Sequence, residues 1–121
     1  MNKRSTYAFY GSLRRGMENH RFFERGLRFL YQEAIQGYQL YALDDYPYAV
    51  RTGDPLDLLI VEVFQITDPA VERGIHDLEL EVGYRYEEIT IRHQKVGIYL
   101  FEKAGTEPLV KDGDWIKFFR S

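Results

Sequence analysis

The sequence predicts an α+β domain in which strands outnumber helices. Short runs rich in aromatic and β-branched residues recur along the chain, either apolar throughout or alternating in polarity, as strands do. Only two stretches carry apolar residues at helical spacing. The strand–helix–strand order lacks the regular alternation of a doubly wound parallel sheet.

Thr6-Tyr7-Ala8-Phe9-Tyr10 is an aromatic, apolar run that reads as a buried strand, and it ends at Gly11-Ser12, where the chain is expected to turn. Asn19 to Leu30 places Phe22, Phe23, Leu27 and Leu30 on a helical face, with Asn19 as a candidate N-cap and Gly26 as a candidate stop. Ala34 to Ala42 alternates as a strand interrupted near Gly37. Asp44-Asp45-Tyr46-Pro47 reads as a turn, Tyr48-Ala49-Val50 as a short strand, and Gly53-Asp54-Pro55 as a second turn. Leu58 to Ile66, rich in Val, Ile and Leu, is a second buried strand. A helix then opens with Asp68 as cap and Pro69 in the first turn, runs through Val71, Ile75 and Leu78, and frays around Leu80 before Gly83. Tyr84 to Arg92 and Val96 to Phe101 form a hairpin joined at His93-Gln94-Lys95. Trp115 to Phe119 reads as a last strand or packed extension.

At 121 residues the chain is expected to be a single domain, 1–121, long enough to bury one core. A net charge of −3 provides no basic excess for a phosphate backbone, so no nucleic-acid partner is expected. The absence of cysteine removes disulfides, thiolate catalysis and zinc–thiolate sites, and fits a reducing cytoplasm. No stretch has the length of a membrane span or of a secretory h-region, so the expectation is a cytoplasmic protein with no membrane partner. No metal-ligand or phosphate-loop spacing is present, so no cofactor or metal is expected. Ten tyrosines suit a tyrosine-lined cavity and, equally, a tyrosine-rich interface.

Two stretches could carry chemistry. Tyr10-Gly11-Ser12-Leu13-Arg14-Arg15-Gly16 presents backbone N–H groups at a strand end, an arrangement that binds anions and is also that of an ordinary strand-to-loop turn. Ile75 to Arg85 gathers Asp77, Glu79, Glu81, His76, Tyr84 and Arg85, which is either a solvated acidic helix end or the seat of a proton carrier. Glu79 adjoins Leu78 on the apolar face, and burial there would raise its pKa towards neutrality. The scattered His20, His76 and His93 show no triad spacing and are expected at the surface, and Arg14, Arg15 and Arg85 could either help with carboxylates or be exposed, solvated arginines that do nothing specific.

Tyr10-Gly11-Ser12-Leu13 followed by Arg14-Arg15-Gly16 resembles the signature of the gamma-glutamylcyclotransferase-like family, and Asn19-His20-Arg21 is most similar to its gamma-glutamylamine branch. Gly37-Tyr38-Gln39-Leu40-Tyr41, Tyr46-Pro47-Tyr48-Ala49-Val50, Gly83-Tyr84-Arg85 and Asp112-Gly113-Asp114-Trp115 resemble further family segments in the same order. The resemblance implies a small mixed β-barrel with two flanking helices and a pocket at one end. It implies intramolecular acyl transfer on a small γ-glutamyl substrate, closing 5-oxoproline and releasing an amine. Glu79 is the implied general acid/base, with Glu81 as competitor because relatives place glycine where this chain has Leu80. Tyr10, Gly11, Ser12, Leu13 and Tyr84 are the implied substrate-binding residues. A non-catalytic binding module of the same fold, an interaction protein with a tyrosine interface, and a hydrolase using the same glutamate remain open at this level.

Overall fold

The computed structural model describes residues 5–120. In chain order the elements are β1 (Ser5–Phe9), α1 (Glu18–Phe23), a 3-10 turn (Glu24–Gly26), β2 (Leu27–Gln36), β3 (Tyr38–Leu43), β4 (Tyr46–Arg51), β5 (Leu58–Ile66), α2 (Pro69–Val82), β6 (Arg85–Ile91), β7 (Gln94–Leu100), β8 (Leu109–Val110) and α3 (Trp115–Phe119). The class is α+β. The strands divide into a five-stranded sheet, β2-β5-β1-β7-β6, and a three-stranded sheet, β4-β3-β8, rather than closing into one barrel.

The apolar run of β1 belongs at the centre of the larger sheet. It pairs antiparallel with β5 on one side and parallel with β7 on the other, so Tyr7, Ala8 and Phe9 are buried. Strand β5 spans the residues its composition indicates and buries Leu59, Val61, Val63 and Phe64 completely. The β6–β7 hairpin turns tightly at Arg92 and His93, both in left-handed backbone conformation, and β3–β4 turns at Asp44, which has φ 56°.

Three sequence expectations are corrected. The helix expected from Asn19 to Leu30 lasts only from Glu18 to Phe23, and Leu27 opens a ten-residue strand. Leu27 and Leu30 fit a helical period, but Leu27, Phe29, Tyr31, Glu33 and Ile35 also alternate at period two. Pairing with β5 decides between them, with a bulge between Phe29 and Tyr31. Gly26 does end the helical segment. A Cβ there would lie 2.6 Å from Val71 of α2, so the close approach of these two segments requires glycine. The N-cap of α1 is Met17 rather than Asn19. Finally, Trp115 to Phe119 is a helix, because the Asp114 side chain accepts from Lys117 N and starts it.

Beyond the ladders, backbone hydrogen bonds among the described residues tie the segments that follow β7 and β8 to the opposite sheet. Phe101 N donates to Ala49 O at 3.0 Å, and Ile60 N donates to Gly113 O at 2.8 Å. Gly113 has φ 65°, and a Cβ on it would run into the Leu58 carbonyl, so the Gly-Asp-Trp tail depends on glycine at this approach. Between the first of these contacts and β1 stands Tyr10, whose hydroxyl donates to Tyr99 O at 2.6 Å and accepts from Ala49 N at 3.0 Å. One phenol thus takes the place of a missing rung between β4 and β7.

Removing that hydroxyl leaves a buried N–H and a buried carbonyl without their partner. Tyr10→Phe is therefore expected to lower stability by about 1–3 kcal/mol, read as a fall in the urea midpoint. An unchanged midpoint would mean that the crossbar contributes nothing.

Candidate active site

A pocket of about 250 Å³ opens where the end of β1, the β3–β4 turn and the end of α2 converge. One wall is the loop from Tyr10 to Leu13, and a second is the Asp45-Tyr46-Pro47 turn. The C-terminal part of α2 supplies Leu78, Glu79 and Val82, α1 supplies Glu18 and Asn19, and Tyr84 and Tyr99 also line the pocket. The structure thus brings together all six sequence-predicted residues, Tyr10, Gly11, Ser12, Leu13, Glu79 and Tyr84.

Both ends of α2 are fixed by local chemistry. Asp68 Oδ1 accepts from Ala70 N at 2.9 Å and Pro69 fills the first turn. At the other end Gly83, with φ 117°, and Tyr84 turn their N–H groups back onto the carbonyl of Glu79, so the helix runs on to Val82 rather than fraying near Leu80. Ile75 is fully buried and anchors the helix. Glu79 lies four residues on and so shares that face, whereas Glu81 is on the exposed side. Of the two competing carboxylates, only Glu79 lines the pocket.

No hydrogen bond or ion pair compensates the burial of Glu79 among the described residues, and burial pushes its carboxyl up to about 7. A carboxyl in that range can both take and give a proton at neutral pH. Burial also pushes the Tyr10 and Tyr84 phenols well above the usual range, so both stay neutral. Tyr84 donates its hydroxyl proton to the Pro47 carbonyl, which ties the end of α2 to the β3–β4 turn. The hydroxyl of Tyr10 is engaged by Tyr99 O and Ala49 N, so it meets the pocket through its ring.

Gly11 is not in a left-handed conformation. Its requirement is spatial, since a Cβ there would lie 2.8 Å from Pro47 Cγ. The loop folds over itself through Arg14 N to Gly11 O at 3.0 Å, and α1 braces it from outside. Asn19 Nδ2 donates to Ser12 Oγ at 2.8 Å, His20 N donates to Ser12 O at 3.0 Å, and His20 Nδ1 lies 3.0 Å from Leu13 O. No hydrogen bond engages the N–H groups of Gly11, Ser12 and Leu13 among the described residues, although Leu13 itself is buried.

Several expectations change here. His20 is half-buried against Phe64, and His76 is half-buried with Nδ1 3.0 Å from the Tyr99 hydroxyl, so neither is a simple surface residue. Arg14 is not solvated. It is 3% exposed, pairing with Glu62 Oε2 and Asp114 Oδ1, each at 2.8 Å. Glu62, 1% exposed, also accepts from the backbone N and the Nε of Arg15, both at 3.0 Å. Burial alone would raise its pKa, but the Arg15 N–H and the two guanidinium groups reverse that and hold it below the usual carboxylate range. Sequence reasoning missed Glu18, Asp45 and Tyr99 as pocket residues. Tyr99 lies in a strand whose last five residues, Val96 to Leu100, are all buried, so alternation carried no signal for it. No group of three or more His, Asp or Glu side chains that could hold a metal occurs among the described residues.

Residues 7–117 match the family model described as gamma-glutamyl cyclotransferase, AIG2-like. The chain is 33% identical over 108 residues, 89% of its own length and 88% of the relative's, to PH0828 of Pyrococcus horikoshii, whose name carries gamma-glutamylcyclotransferase as a provisional activity. The crystal structure of that protein superposes with a TM-score of 0.80 at 32% identity, covering 94% of this chain and 92% of that one. The solution structure of YtfP from Escherichia coli gives 0.71 at 28% identity, over 96% and 98% of the two chains. A mouse AIG2-like protein shares the fold, with a TM-score of 0.73 at 14% identity over 89% and 86%.

The raised pKa of Glu79 has a sign that can be tested. The folded state holds a proton that the unfolded chain releases between pH 4.5 and about 7, so this group's contribution to stability falls as pH rises through that window. Glu79→Gln removes the effect. At pH 8 the variant is expected to melt at a higher temperature than wild type, with the gap closing towards pH 5. Parallel stability–pH curves for the two proteins would refute the burial argument.

Proposed function

Because the chain belongs to the gamma-glutamyl cyclotransferase, AIG2-like family, we propose that it converts a γ-glutamyl amine or γ-glutamyl peptide to 5-oxoproline and free amine, with Glu79 as proton carrier. The observation that carries this reading is a half-buried glutamate without a cationic partner, sharing a pocket with a loop whose backbone N–H groups make no hydrogen bond among the described residues.

The substrate's α-amino group attacks its own side-chain carbonyl, so the pocket has to hold a folded conformer rather than gather two reactants. Ionised Glu79 takes a proton from the α-ammonium, and the freed amine forms the new N–Cδ bond. The oxyanion, or the substrate carboxylate, is held by the N–H groups of Gly11, Ser12 and Leu13. The bond from Cδ to the leaving nitrogen then breaks. Of the three ammonium protons one stays on the lactam nitrogen and two pass to the leaving amine, and a single carboxyl carries them in turn. The rings of Tyr10 and Tyr84 shape the cavity around the glutamyl chain.

The charges around the pocket bear on the leaving group. Glu18, Asp45 and Glu79 line it, and among the described residues no lysine or arginine does. That field disfavours leaving groups ending in a carboxylate, such as the peptide part of glutathione, and favours amines that are neutral or cationic. The Asn19-His20-Arg21 likeness points the same way.

The test is 5-oxoproline release from γ-glutamyl amines, γ-glutamyl dipeptides and glutathione. Amines are expected to be turned over fastest, with kcat/KM rising through an apparent pKa near 7, the value of Glu79. Glu79→Gln should lower kcat by about 10²–10⁴-fold while leaving stability at pH 5 within about 1 kcal/mol. Binding of the panel without release would favour a non-catalytic binding module, and release of glutamate instead of 5-oxoproline would indicate a hydrolase.

A further inference from the structure

The loop that forms one wall of the pocket is held from its far side by charge, and the arrangement is specific. Glu62 of β5 is almost wholly excluded from water, and its two oxygens divide their work. Oε2 accepts from Arg14 Nε at 2.8 Å, while Oε1 accepts from the backbone N and the Nε of Arg15, both at 3.0 Å. Arg14 continues to Asp114 Oδ1 at 2.8 Å and Gln32 Oε1 at 3.4 Å. Arg15 lays its guanidinium 3.5 Å over the ring of Phe29. Arg14 and Arg15 follow directly on Gly11-Ser12-Leu13, whose N–H groups make no hydrogen bond among the described residues.

We propose that Glu62 is a positioning residue of the pocket: by binding the Arg15 backbone and the Arg14 guanidinium it fixes the direction in which the Gly11–Leu13 N–H groups point. Stability alone does not account for the arrangement. A buried ion pair is often matched or bettered by apolar side chains of similar volume, because desolvation consumes most of the attraction. An apolar pair has no acceptor for the Arg15 N–H and no directional hold on the loop. Neither arginine of the clamp lines the pocket.

The inference rests on the proposed activity for its kinetic consequence, so the experiment carries a second readout that does not need turnover. Arg14→Met/Glu62→Leu replaces the buried pair by apolar groups, and Glu62→Gln keeps the shape while removing the charge. For each, kcat and KM for a γ-glutamyl amine, the kcat/KM–pH profile and the amide exchange rates of Gly11, Ser12 and Leu13 are measured beside the melting temperature. The expected result is a double variant that melts near wild type, exchanges those three amides at least about tenfold faster and has kcat/KM lowered at least about tenfold. Its apparent pKa near 7 stays in place, because Glu79 is untouched. A folded double variant with wild-type exchange and kcat/KM overturns the proposal. So does failure of both variants to fold, which would assign the clamp to the fold itself. If wild type releases no 5-oxoproline while the exchange difference appears, the cyclotransferase reading fails and the positioning role of Glu62 stands.

Discussion

The guanidinium of Arg14 lies between Glu62 in the larger sheet and Asp114 at the start of α3, and three parts of the molecule meet through it. The pocket loop follows β1 and cannot extend that strand, because Gly11 is pressed against Pro47 and the chain must fold over itself there. A loop of that kind has few apolar side chains with which to hold its shape. Burying an arginine against two carboxylates supplies directional contacts that methyl groups cannot. The same aspartate that receives Arg14 caps α3, so the short C-terminal helix and the pocket wall share one charged residue.

The fold takes two glutamates largely out of water and treats them in opposite ways. Glu62 is surrounded by donors, and its carboxyl is held below the ordinary range. Glu79 is given none, and burial carries its carboxyl to about 7. A pair of identical side chains driven apart by their surroundings is a familiar way for a protein to keep one acid permanently ionised and the other exchangeable. In this chain the ionised one supports the loop and the exchangeable one faces the pocket.

Much of this was legible from the residues, and the limits have physical causes. β5 was clear because Val, Ile and Leu fill most of its nine positions, with only Glu62 and Gln65 polar. The start of α2 was clear because Asp68-Pro69 acts on its immediate neighbours, whereas its end is expected near Leu80, short of the Val82 that the Gly83 cap allows. The pocket residues came from the resemblance and from Glu79's place beside Leu78. The segment from Leu27 went astray because apolar residues there satisfy two periods at once, and only pairing with β5 selects one. α3 was missed because its stability depends on a cap and on packing of Trp115 against the core, neither of which appears in a five-residue pattern. The burial of Arg14 had no local signal, since its partners lie 48 and 100 residues away.

Tyr10 heads the most recognisable stretch of the chain, yet its hydroxyl serves the joint between the two sheets. Gly11 beside it is demanded by Pro47, and the glycine of the Gly-Asp-Trp tail by the Leu58 carbonyl. Several of the residues by which such a chain is recognised therefore sit where the two sheets approach each other. A chain that exchanged Glu79 for another side chain would keep every one of them, since none of these contacts involves position 79. Under the proposed reading, architecture and chemistry are separable in this molecule, and position 79 is where they part.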